Sequence, residues 1–324
     1  MNRESSKLTV LYHAISSYQL LEVMLHRHLF HPSDHAALLL PDFITDKYPQ
    51  WQSLAAQGFF DRVQLFPYQQ IPHETARQVL RDTARSCRRL RLSLRRFDRL
   101  YIAGAHFYFT LYVLKKRRYF YFLEDAPGML RRPTDLYRPL RRRYPLQAAL
   151  ARRYGLFTAD NPYVLSAICD PAVSLPGRSL CHFSVEDALS ALPPAVRERF
   201  VRFFMPRPLT ATADSILLTQ HFSNLGILLW PQQEALYRRA AETLRHVPLM
   251  IKRHPDDRLD YRSLFPGAQM ITQPFPSELL PYVFDRPPRH LYTFSSTGAL
   301  TLRRHMHIHY LTGEEHASPI PHSC

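Results

Sequence analysis

The sequence of 324 residues lacks the features of a membrane-spanning, secreted or zinc-stabilised protein. No apolar run approaches the ~20 residues that a bilayer-spanning helix needs. The segment from Met1 to Ala14 has neither a long apolar core nor a small-residue cleavage site, so we predict no secretory signal peptide. The four cysteines are scattered and form no Cys-x-x-Cys pair, which argues against disulfides or a structural zinc site. We therefore expect a cytoplasmic protein with free thiols.

Negative charge is scarce, since 27 acidic residues stand against 42 lysines and arginines, for a formal net charge of +15. The excess positive charge is concentrated in three blocks: Arg88, Arg89, Arg91, Arg95 and Arg96; Lys115, Lys116, Arg117 and Arg118; and Arg131, Arg132, Arg138, Arg141, Arg142 and Arg143. Such blocks attract nucleic acid, anionic lipid surfaces or acidic substrates, although a solvated basic face has the same composition.

The motifs that are present and absent distinguish between nucleic acid and a membrane surface as the partner of these basic blocks. The sequence contains no zinc finger, helix-turn-helix signature or RNP-like aromatic motif, so we do not expect nucleic acid as a partner. A basic helix over residues 77–96 could instead lie on an anionic membrane surface. We therefore expect a cytoplasmic protein that binds the inner membrane peripherally.

Short apolar runs alternate with longer amphipathic stretches in two parts of the chain. In the first part we predict strands over 8–14, 36–40, 62–66, 100–103 and 119–123, and helices over 18–30, 51–57 and 73–96. In the second we predict strands over 215–219, 249–252, 269–272, 290–294 and 307–311, and helices over 231–244, 277–283 and 297–303. Such alternation is typical of βαβ units with parallel sheets.

The expected fold class is therefore α/β, with two Rossmann-like domains facing a central cleft, as in the GT-B architecture. The domains are an N-terminal acceptor-side domain (1–172), a proline-rich connection (173–212) with one helical piece over 185–204, and a C-terminal nucleotide-binding domain (213–324). The spacing alone equally suits an epimerase or a periplasmic-type binding protein.

An acidic segment follows the predicted strand over 119–123. Glu124 and Asp125 precede Ala-Pro-Gly, and ligands of open α/β sheets bind beyond the carboxyl ends of strands. A carboxylate at that position suits a general base that removes a proton from an acceptor hydroxyl. A turn or helix-capping aspartate is the structural alternative.

Two further polar segments follow strands in the second part. Lys252, Arg253, His254 and Pro255 end one strand, and two cations with a histidine suit a phosphate. Pro255 keeps the backbone of His254 extended. Ser295, Ser296, Thr297 and Gly298 follow another strand at the start of a helix, where hydroxyls and backbone N–H groups attract an anion. A surface histidine and ordinary helix capping are the structural alternatives.

These segments resemble the bacterial GT-B sialyltransferases, a superfamily that includes lipooligosaccharide sialyltransferases and capsular polysialyltransferases. Its acidic, HP and paired-serine motifs correspond here to Glu124-Asp125, to IKRHPDD (251–257) and to FSST (294–297), with FPSELL (275–280) between the last two and ILLTQ (216–220) before them. The resemblance is strongest over residues 215–311.

The resemblance implies a role for each matching residue. Asp125 would be the base, with Glu124 as the alternative because two residues are inserted before the glycine of the acidic motif. His254 would act on the CMP phosphate as acid or electrostatic stabiliser. The donor-binding set would be Gln220, Lys252, Pro255, Glu278, Ser295, Ser296 and Thr297, of which the two serines bind the phosphate and Glu278 the ribose. The family's mechanism requires no metal or other cofactor, because the CMP-sugar is a co-substrate.

The function that follows is an inverting transfer of sialic acid from CMP-sialic acid to a hydroxyl of a lipooligosaccharide or capsular glycan. Two alternatives stay open. The same fold could use another CMP-linked keto sugar, such as Kdo, or the chain could be a non-catalytic protein that binds nucleotides or polyanions.

Overall fold

The computed structural model describes residues 7–72, 75–103 and 108–311. The chain divides into two compact units. Unit 1 comprises residues 1–206 with 274–276, and unit 2 comprises residues 207–273 with 277–324. Among the described residues, no helix combines the length and the apolar composition that crossing a bilayer requires.

Unit 1 contains a seven-stranded sheet in the order β3-β2-β1-β4-β5-β6-β7, and every pairing is parallel. The strands are β1 (Thr9–His13), β2 (His35–Pro41), β3 (Arg62–Phe66), β4 (Arg99–Ala103), β5 (Phe120–Leu123), β6 (Val164–Cys169) and β7 (Leu180–His182). The helices are α1 (Ser17–Phe30), α2 (Ser53–Ala56), α3 (Ala76–Arg89), α4 (Tyr108–Lys115), α5 (Pro133–Arg143), α6 (Pro145–Arg153), α7 (Val185–Ala191) and α8 (Pro194–Phe204).

The central strands of unit 1 are apolar over most of their length, as expected for a parallel sheet with helices on its faces. Tyr12, Leu39, Ile102 and Phe122 are almost fully buried within four different strands. Helix α1 begins where the Ser16 side chain accepts a hydrogen bond from the backbone N–H of Gln19, as an N-cap residue does.

Unit 1 differs from the sequence expectation in four places. Helix α3 ends at Arg89 and not at 96, because Arg91 adopts a left-handed conformation that terminates it. No element was predicted over residues 124–172, which form α5, α6 and β6. The helical piece over 185–204 is two helices, since Leu192 and Pro193 are extended between them. Residues 173–206 add β7 to the first sheet and lie in unit 1.

Unit 2 contains a five-stranded parallel sheet in the order β10-β9-β8-β11-β12. The strands are β8 (Ser215–Leu218), β9 (Leu249–Lys252), β10 (Gln269–Ile271), β11 (His290–Thr293) and β12 (His307–Tyr310). The helices are α9 (Trp230–Thr243), α10 (Tyr261–Leu264), α11 (Leu280–Val283) and α12 (Thr297–Thr301). The predicted strands of this unit all occur: β9 has the predicted bounds, and the other four end one residue earlier.

Each sheet reverses its strand order once, at a position that we call its switch point. The reversal lies between β1 and β4 in unit 1 and between β8 and β11 in unit 2. Open α/β sheets bind ligands beyond the carboxyl ends of the strands at such a point, because the loops on either side diverge there. The segments after β1, β4 and β5, and those after β8, β9 and β11, are therefore where binding residues are expected.

Candidate functional site

Glu124 follows β5 directly, and its carboxyl group is part of the local scaffold. It is 1% exposed. One carboxyl oxygen accepts a hydrogen bond from the backbone N–H of Leu130 (2.7 Å) and the other from that of Asp170 (2.9 Å). The turn after Glu124 and the segment after β6 thus meet at this carboxyl group. Burial raises the pKa of Glu124 to about 7, against the opposing effect of these backbone hydrogen bonds.

Asp125 is only partly buried, and its environment differs from that of its neighbour. Gln19, at the start of α1, donates from Nε2 to Asp125 Oδ1 (3.3 Å) and to the Glu124 carbonyl oxygen (3.1 Å). Burial raises the pKa of Asp125 to about 7, the hydrogen bond from Gln19 lowers it and the charge of Glu124 raises it further. A carboxylate with a pKa near 7 is well matched to accepting a proton at neutral pH.

Gln220 and Ser295 connect the two strands at the switch point of unit 2. Gln220 follows β8, and its Oε1 accepts from the backbone N–H of Ser295 (2.9 Å). Its Nε2 donates to the Ser295 hydroxyl (3.1 Å). The backbone N–H of Gln220 is itself held by the hydroxyl of Tyr237 on α9 (2.7 Å). This pair fixes the first serine of the paired motif beside the end of β8.

His254 lies on the other side of β8, after β9. Its backbone N–H donates to the Thr219 hydroxyl (2.9 Å). Its ring nitrogen Nδ1 accepts from the backbone N–H of Asp256 (3.2 Å), and its ring stacks on that of His221 with centroids 3.8 Å apart. Because Nδ1 acts as an acceptor, the neutral ring carries its proton on Nε2. Nε2 is therefore a hydrogen-bond donor.

The second aspartate of IKRHPDD holds this loop in place. Asp257 is 3% exposed and accepts from Gln233 Nε2 (3.0 Å), from the Tyr261 hydroxyl (2.5 Å) and from the backbone N–H of Leu259 (3.1 Å). Gln233 also accepts from the backbone N–H of Ser223 (2.7 Å). The loops after β8 and β9 are thus tied together through α9.

Lys252 and Glu278 are a buried pair of opposite charges beside these loops. Lys252 ends β9 and Glu278 lies before α11, and both are at most 9% exposed. Burial lowers the pKa of Lys252 to about 8, and the charge of Glu278 opposes that shift. Burial raises the pKa of Glu278, again partly offset by Lys252. Buried charges of this kind occur mainly where a ligand or a partner charge compensates them.

The remaining predicted donor-binding residues lie at the same edge of unit 2. Ser296 precedes α12, and its backbone N–H donates to the Thr293 hydroxyl (3.3 Å). Thr297 is the first residue of α12, but its side chain is outside what the structure describes. A Cβ at Gly298 would lie 2.1 Å from Ser277 Oγ, so this glycine lets α12 approach the segment that carries Glu278. Pro255 is in the turn after His254.

One grouping among the described residues offers three possible metal ligands, namely His221, His254 and Asp256, whose ligand atoms lie within 4.8 Å of one another. A metal-binding histidine normally donates its second ring N–H to a neighbour. The hydrogen bond from Asp256 N–H to His254 Nδ1 has the opposite polarity. This arrangement favours hydrogen-bond donation by His254 Nε2 over metal ligation. The absence of a metal from the mechanism stays a prediction.

Three residues that position the site, Gln19, His221 and Gln233, carried no signal in the sequence, and Thr219 entered only as part of the ILLTQ segment. Gln19 and Gln233 lie in predicted helices, Thr219 ends a predicted strand, and His221 lies in the loop after that strand. Their contacts cross between elements, so a single sequence could not reveal them. The positions after β1 and β8, next to the switch points, are the signal that a topology-based prediction would have used.

The comparisons with known proteins concern the fold. No protein-family model matches the sequence, and no curated protein resembles it in sequence. Among solved structures, the chain is similar to Medicago truncatula UGT71G1 complexed with UDP-glucose, at 11% identity and a TM-score of 0.53, with 96% of this chain and 81% of that chain covered. It is also similar to Arabidopsis thaliana UGT89C1 complexed with UDP-L-rhamnose, at 9% identity and a TM-score of 0.52, over 94% and 79% of the two chains. The predicted α/β fold with two Rossmann-like domains of GT-B type is confirmed.

Proposed function

We propose that this chain is an inverting glycosyltransferase that transfers sialic acid from CMP-sialic acid to a hydroxyl of a bacterial surface glycan. The observation that carries the proposal is the arrangement in unit 2 of His254 after β9 and of the Gln220–Ser295 pair at the adjoining switch point. These groups combine an N–H donor, hydroxyls and backbone N–H groups, which are the ligands that a nucleotide phosphate requires.

In the proposed reaction the acceptor hydroxyl attacks the anomeric carbon of the donor sugar. Asp125 takes the hydroxyl proton as the new carbon–oxygen bond forms. The bond between the anomeric carbon and the phosphate oxygen breaks on the opposite face, and its electron pair leaves with CMP. The configuration of the anomeric carbon is thereby inverted.

The leaving phosphate gains negative charge in this step. The proton on His254 Nε2 and the hydroxyl groups of Ser295 and Ser296 would stabilise that charge. Lys252 adds a positive charge beside them, and Glu278 would accept hydrogen bonds from the ribose hydroxyls. Between the two acidic residues, Asp125 is the better base because both oxygens of Glu124 already accept hydrogen bonds from backbone amides.

The choice of donor is tested by supplying one acceptor with different nucleotide sugars. CMP-sialic acid, CMP-Kdo and UDP-glucose form the panel, the last because UGT71G1 was crystallised with it. Acceptor-dependent release of CMP from CMP-sialic acid, and no release of UDP, is the expected result. Turnover of CMP-Kdo alone would replace the donor sugar in the proposal, and turnover of UDP-glucose alone would reject a CMP-sugar donor.

The acceptor is proposed to be a lipooligosaccharide or capsular glycan carried near the inner membrane face. The supporting feature is the positive charge of unit 1, which would bring the enzyme to an anionic surface. The protein would then be peripheral to the membrane.

A further inference from the structure

Helices α3 and α4 end side by side on unit 1, and their ends carry six exposed cations, which we call the basic patch: Arg88, Arg89, Arg91, Lys115, Lys116 and Arg117. The two helices pack against each other. Electrostatic interactions link Cys87 to Lys116 and Arg88 to Tyr112 across the helix pair. Asp98 is the single acidic residue between positions 85 and 118, so little negative charge offsets the patch.

Two of these cations occupy a backbone conformation that favours glycine. Arg91 has φ 52° and Arg117 has φ 51°. Each ends its helix in the same way. At the end of α3, the backbone N–H of Arg91 donates to the Arg88 carbonyl oxygen (3.0 Å) and that of Leu92 to the Cys87 carbonyl oxygen (2.8 Å). At the end of α4, the N–H of Arg117 donates to the Leu114 carbonyl oxygen (2.9 Å) and that of Arg118 to the Val113 carbonyl oxygen (3.2 Å). This is the Schellman motif, whose left-handed residue is usually glycine because a Cβ is strained there.

The same chain uses glycine in this motif elsewhere. Helix α2 ends in it with Gly58 at φ 71°, where an added Cβ would approach nothing closer than the end of the Arg199 side chain at 3.6 Å. Arginine at the ends of both α3 and α4 therefore keeps a positive charge at the cost of backbone strain. Strain that recurs at two neighbouring helix ends with the same charged residue indicates a functional demand on that charge.

The basic patch lies at the end of β5 opposite to the acidic segment that contains Glu124 and Asp125. Helices that join parallel strands run antiparallel to them, so α3 and α4 end at the edge where β4 and β5 begin. Arg118, at that edge, donates to the Phe97 carbonyl oxygen (2.9 Å), just before β4. Asp125 follows the opposite end of β5, roughly 13 Å away for four residues at about 3.3 Å each. The basic patch therefore serves something other than the reacting groups.

Tyr119 adds an amphipathic side chain to the same edge. It lies two residues after Arg117, directly before β5, and is 58% exposed. Tyrosine beside clustered cations is typical of surfaces that meet the lipid headgroup region, because the ring enters the interface while the cations meet anionic headgroups.

We infer that the basic patch, together with Tyr119, is a docking surface for an anionic lipid bilayer. The membrane contact of the proposed function, on which this surface rests, is thereby placed at the ends of α3 and α4 and not along the length of the basic helix. The ligand is a bilayer and not a dissolved phosphate ion, since an exposed aromatic ring gains nothing from such an ion.

The test is co-sedimentation of the full chain with vesicles of phosphatidylcholine alone or of phosphatidylcholine with phosphatidylglycerol. The wild type should bind only the anionic vesicles, and high salt should release it. The double variant Arg91→Gly/Arg117→Gly should bind them more weakly, by about fivefold for each cation removed. Its Tm should rise by about 2–4 °C because glycine relieves the strain, which distinguishes lost binding from lost folding.

The matched control is Arg238→Gln/Arg239→Gln on α9, which removes two exposed cations from unit 2. It should bind anionic vesicles as the wild type does. Equal binding by the Arg91→Gly/Arg117→Gly variant, equal loss in the control, or tighter binding to an RNA oligomer than to vesicles would each overturn the inference. Vesicle binding is measured without the donor, whereas the proposed function is tested by CMP release. A failure of membrane docking can therefore be distinguished from a failure of the proposed transfer reaction.

Discussion

At the scale of single residues, Glu124 and Asp125 are adjacent in sequence but differ in what their carboxyl groups can do. The sequence predicted an acidic site after a strand but left both residues open as the base. The difference arises from contacts with residues far along the chain, Asp170 for Glu124 and Gln19 for Asp125. No pattern within the acidic segment encodes these contacts, so the sequence could predict the kind of residue but not the division of roles.

Replacing Asp125 by asparagine should separate activity from stability. Turnover should fall by about 10²–10⁴-fold, because the base is lost while the shape is retained. Burial raises the pKa of Asp125 from 3.8 to about 7. The folded state therefore binds this proton more tightly than the unfolded state, and stability falls as pH rises from about 4 to 7. At pH 8 the variant should be more stable than the wild type by at least about 1 kcal/mol, measured by urea unfolding.

The matched variant is Glu124→Gln, which should mainly reduce stability. Its amide group would place an NH₂ against a backbone N–H that now has a carboxyl oxygen as acceptor, at a cost of about 1–3 kcal/mol. If Glu124→Gln abolished turnover without loss of stability while Asp125→Asn stayed active, the base would be Glu124.

The pH dependence of kcat/KM should be bell-shaped. The rise should be centred near pH 7, where the coupled pair Glu124 and Asp125 loses protons. The fall should be centred near pH 8, where Lys252 loses the positive charge that favours the phosphate. Rates measured from pH 5 to 10 test both limbs. In Lys252→Gln the alkaline limb should be absent, and an unchanged alkaline limb would remove Lys252 from donor binding.

At the scale of elements, the position of the predicted donor-binding residues Glu278 and Ser296 depends on how closely α12 packs against the segment before α11. In Gly298→Ala the new Cβ would lie 2.1 Å from Ser277 Oγ and 3.4 Å from Glu278 Oε1. We expect α12 to move away, with a loss of about 1–3 kcal/mol in stability and a higher KM for the donor. Urea unfolding and initial-rate kinetics measure the two effects.

The compensating exchange Ser277→Gly/Gly298→Ala is the control, because it removes the atom that the new Cβ would strike. Most of the stability and of the donor KM should return. Without any recovery, the effect of Gly298→Ala must come from a source other than this contact.

Elements with periodic apolar patterns were predictable, and those without were not. Residues 124–169 form α5, α6 and β6 without a clear prediction, because helix α5 contains Pro139 and four arginines that obscure its apolar stripe. Helix α3 was predicted too long, since the arginines beyond residue 89 continue the polar pattern through the left-handed Arg91. Composition gave no sign of that change in backbone conformation.

At the scale of the whole molecule, each unit contains one of the chain's two tryptophans, Trp51 in unit 1 and Trp230 in unit 2. In Trp51→Phe, fluorescence reports unit 2 alone, and in Trp230→Phe it reports unit 1. If unit 2 binds the donor, CMP at about 100 times its Kd should stabilise the transition seen by Trp230 by about 2.7 kcal/mol. UMP should give a smaller shift. A larger shift at Trp51 would place the nucleotide in unit 1.

The two-sheet organisation was predictable because parallel strands buried on both faces are continuous apolar runs, as in β1, β2 and β9. Residues 173–206 were harder to assign because prolines separate their short elements. The sequence predicted a connection between domains here, whereas in the structure β7 pairs with β6 and extends the sheet of unit 1. Pairing between strands depends on the folded chain as a whole, and a single sequence does not show it.

Transfer of sialic acid from CMP-sialic acid is the reaction that we propose for this chain. The most direct test is CMP release from that donor, with and without a lactose-type glycan acceptor, by the wild type, Asp125→Ala and His254→Ala. We expect acceptor-dependent release by the wild type, with a loss of about 10²-fold or more in each variant. Release at the wild-type rate by both variants, or no release from CMP-sialic acid with any glycan acceptor, would contradict this expectation.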